Sequence, residues 1–223
     1  MRREMLHLVG SCLLDFIPTI TFLTIGWLAF PMDNLFAYHP FFVSIAMLVL
    51  MPYGVRIMDR HVCWLPVRPR TQMIKWHWIV QCIASMLLIL GGAAIYLNKT
   101  RSGKSHFTTW HGLCGLLTLL YVAIQLLAGF VFHWKLWPIR LLTHNQASLY
   151  HAYSGFGLLI LSTLTILLGL QSSWVASKLR GLIPQGYECV IIVLSAMVCC
   201  SIIRIAFQIR RFNFRRLFSR TRK

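Results

Sequence analysis

The chain has 223 residues, of which 57% are hydrophobic and 12% charged, and its formal net charge is +17. Soluble domains carry about 25% charged residues, so this composition excludes an ordinary soluble domain and predicts a membrane protein. The basic residues stand between apolar runs and at the C-terminus, and outside the tail 204–223 they form no face interleaved with aromatic residues. This distribution speaks against a nucleic-acid-binding protein.

Six apolar segments are predicted to be transmembrane helices, because a helix needs about 20 apolar residues to cross the hydrocarbon core. The first contains Asp15 and Pro18, and it continues beyond the length of a signal peptide, so we expect it to be retained as a span. The chain is therefore predicted to be a single domain and an all-α integral membrane protein. The predicted spans are 8–30, 38–58, 76–97, 108–132, 147–170 and 187–207.

The distribution of lysine and arginine predicts the orientation. Seventeen of them lie in the N-terminus, the connections 56–75 and 135–140, and the tail that begins at Arg204, whereas five lie in the connections 99–104 and 178–180. Cytoplasmic loops carry the excess of basic residues, so both termini are predicted to be cytosolic. The basic tail 208–223 is expected to lie on anionic lipid.

Four histidines occur in the predicted spans, each near the start of one of four consecutive spans: His39, His77, His111 and His151. Ionisable residues inside a membrane are costly and usually functional. Consecutive spans run antiparallel, so His39 and His111 are expected near the outer face, and His77 and His151 near the cytosolic face. The sequence thus predicts two histidine pairs, one for each face of the membrane.

Two imidazoles from facing helices are the axial ligands that a haem iron takes. Zinc wants four protein ligands, or three and a water, and no acidic residue or well-placed cysteine completes such a set. The absence of a C-x-x-C-H motif indicates that a haem would be bound non-covalently. The pattern therefore favours two b-type haems within a four-helix core made by spans two to five. A copper or zinc site and a set of packing histidines are the alternatives.

Glycines recur at fixed offsets from two of these histidines. Gly115 and Gly155 follow His111 and His151 by four residues. A second glycine follows each of these histidines by eighteen residues, namely Gly129 after His111 and Gly169 after His151. Eighteen residues make five helical turns, so each of these glycines is expected on the same helix face as its histidine, beside the other histidine pair. A flat macrocycle needs a helix face without bulky side chains, although close helix packing also selects glycine.

Four stretches resemble the cytochrome b561 family, and together they cover most of residues 35 to 170: LFAYHPFFVSIAML, KWHWIVQ, GKSHFTTWHGLCGLL and LYHAYSGFGLLILS. The third is most similar to the short transmembrane reductases of that family. The resemblance implies six spans and two b haems, which pass electrons from cytosolic ascorbate to an acceptor on the other side. It also implies that His39 and His111 ligate the outer haem, and His77 and His151 the cytosolic haem.

The resemblance further implies basic residues that hold ascorbate on the cytosolic side of the third span. Lys75 matches this feature and Arg70 matches it more loosely, whereas Thr71 and Gln72 occupy a stretch where some members have another lysine. A cation there would attract the ascorbate anion, although a lysine at this place also obeys the positive-inside rule.

On the outer side, Lys104 and His106 precede His111 and are candidates for binding monodehydroascorbate or a ferric chelate. An ordinary polar loop is the alternative.

The sequence and the resemblance together predict a transmembrane ascorbate-dependent oxidoreductase. It is expected in the membrane of the endoplasmic reticulum or of vesicles rather than in the plasma membrane, and family members are often dimers. A haem-binding protein for sensing or storage is one alternative function. A haem-free transporter whose histidines relay protons is another.

Overall fold

The computed structural model describes residues 2–59, 69–134, 136 and 143–220, with the side chains of 2–15, 144–145 and 208–220 outside that description. Within these ranges the regular structure is helical, as predicted for an all-α protein. The helices are α1 (Arg2–Ala29), α2 (Leu35–Ser44), α3 (Met51–Arg56), α4 (Arg70–Arg101), α5 (Trp110–His133), α6 (His144–Leu170), α7 (Ser173–Leu182) and α8 (Tyr187–Arg220). A π-helical segment, Ile45–Leu50, joins α2 to α3 without a break.

Five helical segments of the described chain are long and apolar enough to cross a membrane. They are Leu35–Arg56, Arg70–Arg101, Trp110–His133, Gln146–Leu170 and Tyr187–Phe207. These segments correspond to the second to sixth predicted spans and confirm a multi-pass membrane protein. The first predicted span lies in α1, of which Phe16–Ala29 forms a shorter apolar helix. A sixth span therefore stays a prediction.

Polar side chains fix where several helices begin, because the first backbone N–H groups of a helix have no partner within it. Asn34 accepts a hydrogen bond from the Ala37 amide at the start of α2, and Thr109 accepts one from Gly112 at the start of α5. Thr143 and Gln146 form a reciprocal capping box at the start of α6. These caps set the position of His39, His111 and His151 relative to the helix ends.

The helices associate as two pairs. Helix α2 with its continuation packs most extensively against α4, and α5 packs most extensively against α6, whereas contacts between α4 and α5 are sparse. Helices α1 and α8 pack together and against these pairs, and they complete the main core around Met47, Leu88 and Val198. A seam therefore runs between the α2–α4 pair and the α5–α6 pair.

Helix α7 was not predicted, because its basic residues suggested a simple connection. Its apolar side chains Val175 and Leu179 are buried against Leu28 of α1. Arg180 donates to the Tyr187 hydroxyl over 2.7 Å, which links α7 to the start of α8. The connection is therefore an amphipathic helix that packs on the end of the bundle.

Candidate functional site

Two pairs of histidines face each other across the seam. The ring centroids of His39 and His111 are 6.0 Å apart with planes at 80°, and those of His77 and His151 are 6.4 Å apart at 87°. We call these the 39/111 pair and the 77/151 pair. Each pair takes one ring from the α2–α4 pair of helices and one from the α5–α6 pair.

The two pairs lie at opposite ends of the bundle. His39 contacts the carbonyl of Gly91, which follows His77 by fourteen residues in α4. At a rise of 1.5 Å per residue, this separation is about 21 Å along the helix. The structure therefore brings His39 to His111 and His77 to His151, and it keeps the two pairs far apart.

Backbone carbonyls orient three of the four rings. Nδ1 of His39 lies 3.0 Å from the Gly91 oxygen, and Nδ1 of His77 lies 2.8 Å from the Gly54 oxygen. Nδ1 of His111 lies 2.9 Å from the carbonyl oxygen of a residue in α6, Thr165. A carbonyl oxygen only accepts, so each Nδ1 carries the proton and donates it. Each Nε2 therefore keeps a free lone pair, which is the arrangement that a metal-ligating histidine needs.

The fourth ring differs from the other three. Nδ1 of His151 is buried, and among the described residues no partner lies within hydrogen-bonding distance of it. Instead the backbone of His151 is held, because Ser154 donates to its carbonyl over 3.3 Å and Gln125 of α5 donates to the Ser154 hydroxyl over 2.5 Å. Sequence reasoning missed this link between α5 and α6.

The spacing of the rings fits a metal held between two imidazoles. A metal–imidazole bond is about 2 Å long and the nitrogen lies about 1 Å from the ring centre, so two imidazoles on opposite sides of one metal have centroids about 6 Å apart. Both pairs match this separation. In the described part of the chain, neither pair belongs to a group of three or more His, Cys, Asp or Glu side chains. Two axial imidazoles suit a haem iron and leave a zinc site incomplete.

The glycines predicted to lie beside the opposite pair do so. A Cβ at Gly169 would lie 3.0 Å from Cε1 of His111, and a Cβ at Gly129 would lie 3.6 Å from Cε1 of His151. Gly115 and Gly155 have more space, since a Cβ there would meet its nearest neighbour at 3.9 Å and 3.7 Å. Gly129 and Gly169 therefore keep the helix surface beside the rings free of side chains.

A buried polar contact lies between the two pairs. The hydroxyls of Thr118 and Thr165 are 3.1 Å apart, and both side chains are almost completely buried. Thr165 therefore links α5 to α6 through its side chain and orients His111 through its carbonyl. Sequence reasoning missed this residue, although its spacing of fourteen residues from His151 equals that of Gly91 from His77.

The predicted donor residues lie at the end of the 77/151 pair. Arg70 is the first residue of α4, and Lys75 is exposed two residues before His77. Residues two apart on a helix point to different faces, so Lys75 does not share the face of His77. The charge of Lys75 would therefore attract an anion to the end of the bundle that holds the 77/151 pair, from a helix face other than the one on which His77 meets His151.

The predicted acceptor residues lie at the end of the 39/111 pair. His106 stacks on Tyr96 with centroids 4.2 Å apart, and Lys104 is exposed beside it in the same loop. Sequence reasoning missed Lys99, which lies in the last turn of α4 at this same end of the bundle. Lys99 donates to the Ser105 carbonyl over 3.1 Å, which holds its ammonium in this loop.

Residues 38–176 match the family of eukaryotic cytochrome b561. The chain is 32% identical over 158 residues to transmembrane reductase CYB561D2 of Bos taurus, an overlap that covers 69% of each chain. It is 33% identical over 158 residues to the protein of that name from Mus musculus. It is 32% identical over 160 residues to probable transmembrane reductase CYB561D1 of Mus musculus, covering 72% of this chain and 69% of that relative. The chain therefore belongs to the cytochrome b561 family.

Membership of this family supports a membrane oxidoreductase that moves electrons across the bilayer, and it implies binding of b-type haem. The four histidines lie within the matched residues.

Proposed function

We propose that this protein carries electrons from cytosolic ascorbate to monodehydroascorbate or a ferric chelate on the other side of the membrane. The observation that supports it most is the presence of two facing histidine pairs at opposite ends of the bundle. Each pair has the ring separation that one metal between two imidazoles requires. Two such positions divide the membrane into steps short enough for electron transfer.

The four histidines hold two b haems in this proposal, with His39 and His111 as ligands of one and His77 and His151 as ligands of the other. Bound haem supplies a carrier of one electron at each pair. The chain supplies the ligands, the carbonyls that orient them and the apolar seam that excludes water. The seam also explains why each pair joins the two halves of the bundle.

The donor binds at the end of the 77/151 pair. Ascorbate is an anion, and the positive charges of Lys75 and Arg70 raise its concentration at this end. One ascorbate gives up one electron and one proton there and becomes monodehydroascorbate. At the other end the acceptor gains one electron, and Lys99, Lys104 and His106 supply positive charge and hydrogen bonds for it.

The orientation completes the proposal. The excess of Lys and Arg at the termini and at the end of the 77/151 pair supports a cytosolic position for that end. Both termini then share one side, which requires that α1 crosses the membrane as a sixth span. The membrane of the endoplasmic reticulum or of vesicles supplies the second compartment, and a homodimer is compatible with this arrangement.

Vesicles with internal ferricyanide test the function. External ascorbate should reduce ferricyanide inside vesicles that contain the protein, and the rate should fall by about tenfold or more when either pair loses a ligand, because both steps are obligatory. His39→Ala should still allow ascorbate to reduce the remaining haem, whereas His77→Ala should prevent it. Haem that is reduced by ascorbate without transfer to the interior would support storage or sensing. A protein without haem absorption would support the transporter alternative.

A further inference from the structure

Two helices place a carbonyl at a fixed distance from their own histidine. In α4, Gly91 follows His77 by fourteen residues, and its carbonyl accepts from Nδ1 of His39 at the opposite end of the bundle. In α6, the carbonyl that lies fourteen residues after the histidine belongs to Thr165, and it accepts from Nδ1 of His111. Each helix thus gives a ligand to one pair and an acceptor to the other.

The span Leu35–Arg56 follows the same rule with one residue more. Gly54 follows His39 by fifteen residues, and its carbonyl accepts from Nδ1 of His77. The π-helical segment Ile45–Leu50 lies between them. A π turn accommodates one residue more than an α turn, so the same face still turns toward α4.

Helix α5 breaks the rule. Fourteen residues after His111 stands Gln125, whose carbonyl would be the acceptor for His151, yet among the described residues Nδ1 of His151 has no partner. The distance between this ring and α5 can be judged at Gly129, four residues after Gln125. A Cβ at Gly129 would lie 3.6 Å from Cε1 of His151. The equivalent distance at the other pair, from Gly169 to His111, is 3.0 Å. The ring of His151 therefore stands further from its neighbouring helix.

We propose that this missing hydrogen bond makes the haem of the 77/151 pair the more easily reduced of the two. A histidine that donates its Nδ1 proton to a carbonyl becomes a more basic ligand and stabilises the oxidised iron. The 39/111 pair has two such bonds and the 77/151 pair has one, so the reduction potential is higher at the 77/151 pair. The inference rests on the proposed function, because it requires haem at both pairs.

The consequence concerns the order in which the sites fill. With haem bound at both pairs, the 77/151 site, which is the nearer to the proposed donor, would hold the first electron for the larger part of the time. In this proposal His151 is a ligand whose unbonded Nδ1 sets the difference in reduction potential between the two sites.

Ligand replacement tests the bond itself. His151→Gly and His111→Gly each leave a space that external imidazole or 1-methylimidazole can fill, and both molecules offer one coordinating nitrogen. Only imidazole keeps an N–H to donate. In His111→Gly, 1-methylimidazole should give the higher potential, by about tenfold in the equilibrium constant for reduction, or about 59 mV. In His151→Gly the two potentials should differ only by the intrinsic difference between the ligands. The intrinsic difference between the ligands is common to both variants, so an equal shift at both sites would overturn the proposal.

Variants that keep a single haem give a second measurement, which needs no replacement ligand. His111→Ala leaves the 77/151 haem and His77→Ala leaves the 39/111 haem, and equilibrium potentiometry should show the higher potential in His111→Ala. Equal potentials, or the reverse order, would overturn the inference and leave the proposed function intact. A wild-type protein without haem would defeat the proposed function instead.

Discussion

At the scale of single residues, the position of each ring depends on groups that touch it from the neighbouring helix. Gly169 is the tightest of these contacts, because a Cβ there would lie 3.0 Å from His111 and 3.3 Å from its Nδ1. The ring cannot retreat without lengthening its bond to the Thr165 carbonyl. Glycine at this position therefore preserves both the position and the orientation of the His111 ring.

Gly169→Ala should displace His111 and lower the haem content of the 39/111 pair. Overpacking of this kind costs about 1–3 kcal/mol of unfolding free energy. The matched control is Gly129→Ala, where the added Cβ meets His151 at an ordinary contact distance of 3.6 Å, so haem content should stay near that of the wild type. Absorption spectra per mole of protein decide the matter. Equal losses in both variants would show that the close contact at His111 is not what matters.

Lys75 acts by its charge in the proposed function. Lys75→Ala should slow reduction by ascorbate roughly three- to tenfold at low salt and weaken the dependence on salt, because one attractive charge near the donor site is gone. Haem content should not change. Stopped-flow reduction at two salt concentrations measures both effects, with Lys104→Ala at the opposite end as the matched control. Wild-type rates and salt dependence in Lys75→Ala would reduce this lysine to a determinant of orientation.

At the scale of elements, the π-helical segment Ile45–Leu50 decides which face of the second span meets α4. His39 before it and Gly54 after it both contact α4, one through Gly91 and the other through His77. Gly54 and Gly91 let the helices approach closely, since a Cβ at either would come within 3 Å of a side chain across the interface. The extra residue of the π turn keeps these two contacts in register.

Deletion of Val49 should destroy that register. Removing one residue rotates the two halves of the span by about 100° relative to each other, so His39 and Gly54 can no longer face α4 together. We expect loss of one haem or both and a lower midpoint of thermal unfolding. Val49→Ala keeps the length of the segment and is the control, which should retain both haems. A deletion variant that keeps two haems would show that the π turn is dispensable.

The sequence predicted elements that have a strong compositional signal. Five apolar helical segments appear within six residues of the limits predicted for the second to sixth spans, because apolar length is visible in the sequence. Helix α7 was missed because ten residues with Lys178 and Arg180 look like a loop until Val175 and Leu179 are seen to pack. The π turn was missed because one extra residue in an apolar run changes no composition.

The residues of the candidate site also differ in whether the sequence reveals them. Histidines are rare in membrane spans, so their pattern could be predicted from the sequence. Every residue has a carbonyl, so nothing in the sequence marks Gly54, Gly91 or Thr165 as the acceptors. The fourteen-residue spacing is a signal that becomes visible only after the pairs are known.

At the scale of the whole molecule, the protein consists of two pairs of helices that meet along a seam. Contacts within each pair are extensive and those between α4 and α5 are sparse. Both histidine pairs cross this seam, so in the proposed function each haem joins the two halves as well as carrying an electron. The function and the cohesion of the bundle then depend on the same four side chains.

Haem stoichiometry tests this account most directly. Pyridine haemochrome analysis of the purified protein should give close to two haems per chain, with electron paramagnetic resonance signals of six-coordinate low-spin iron, because each pair supplies two axial imidazoles. His39→Ala and His111→Ala should remove one and the same spectral component, and His77→Ala and His151→Ala should remove the other. A wild-type ratio near one or near zero, or the loss of one component in both His39→Ala and His77→Ala, would contradict the account.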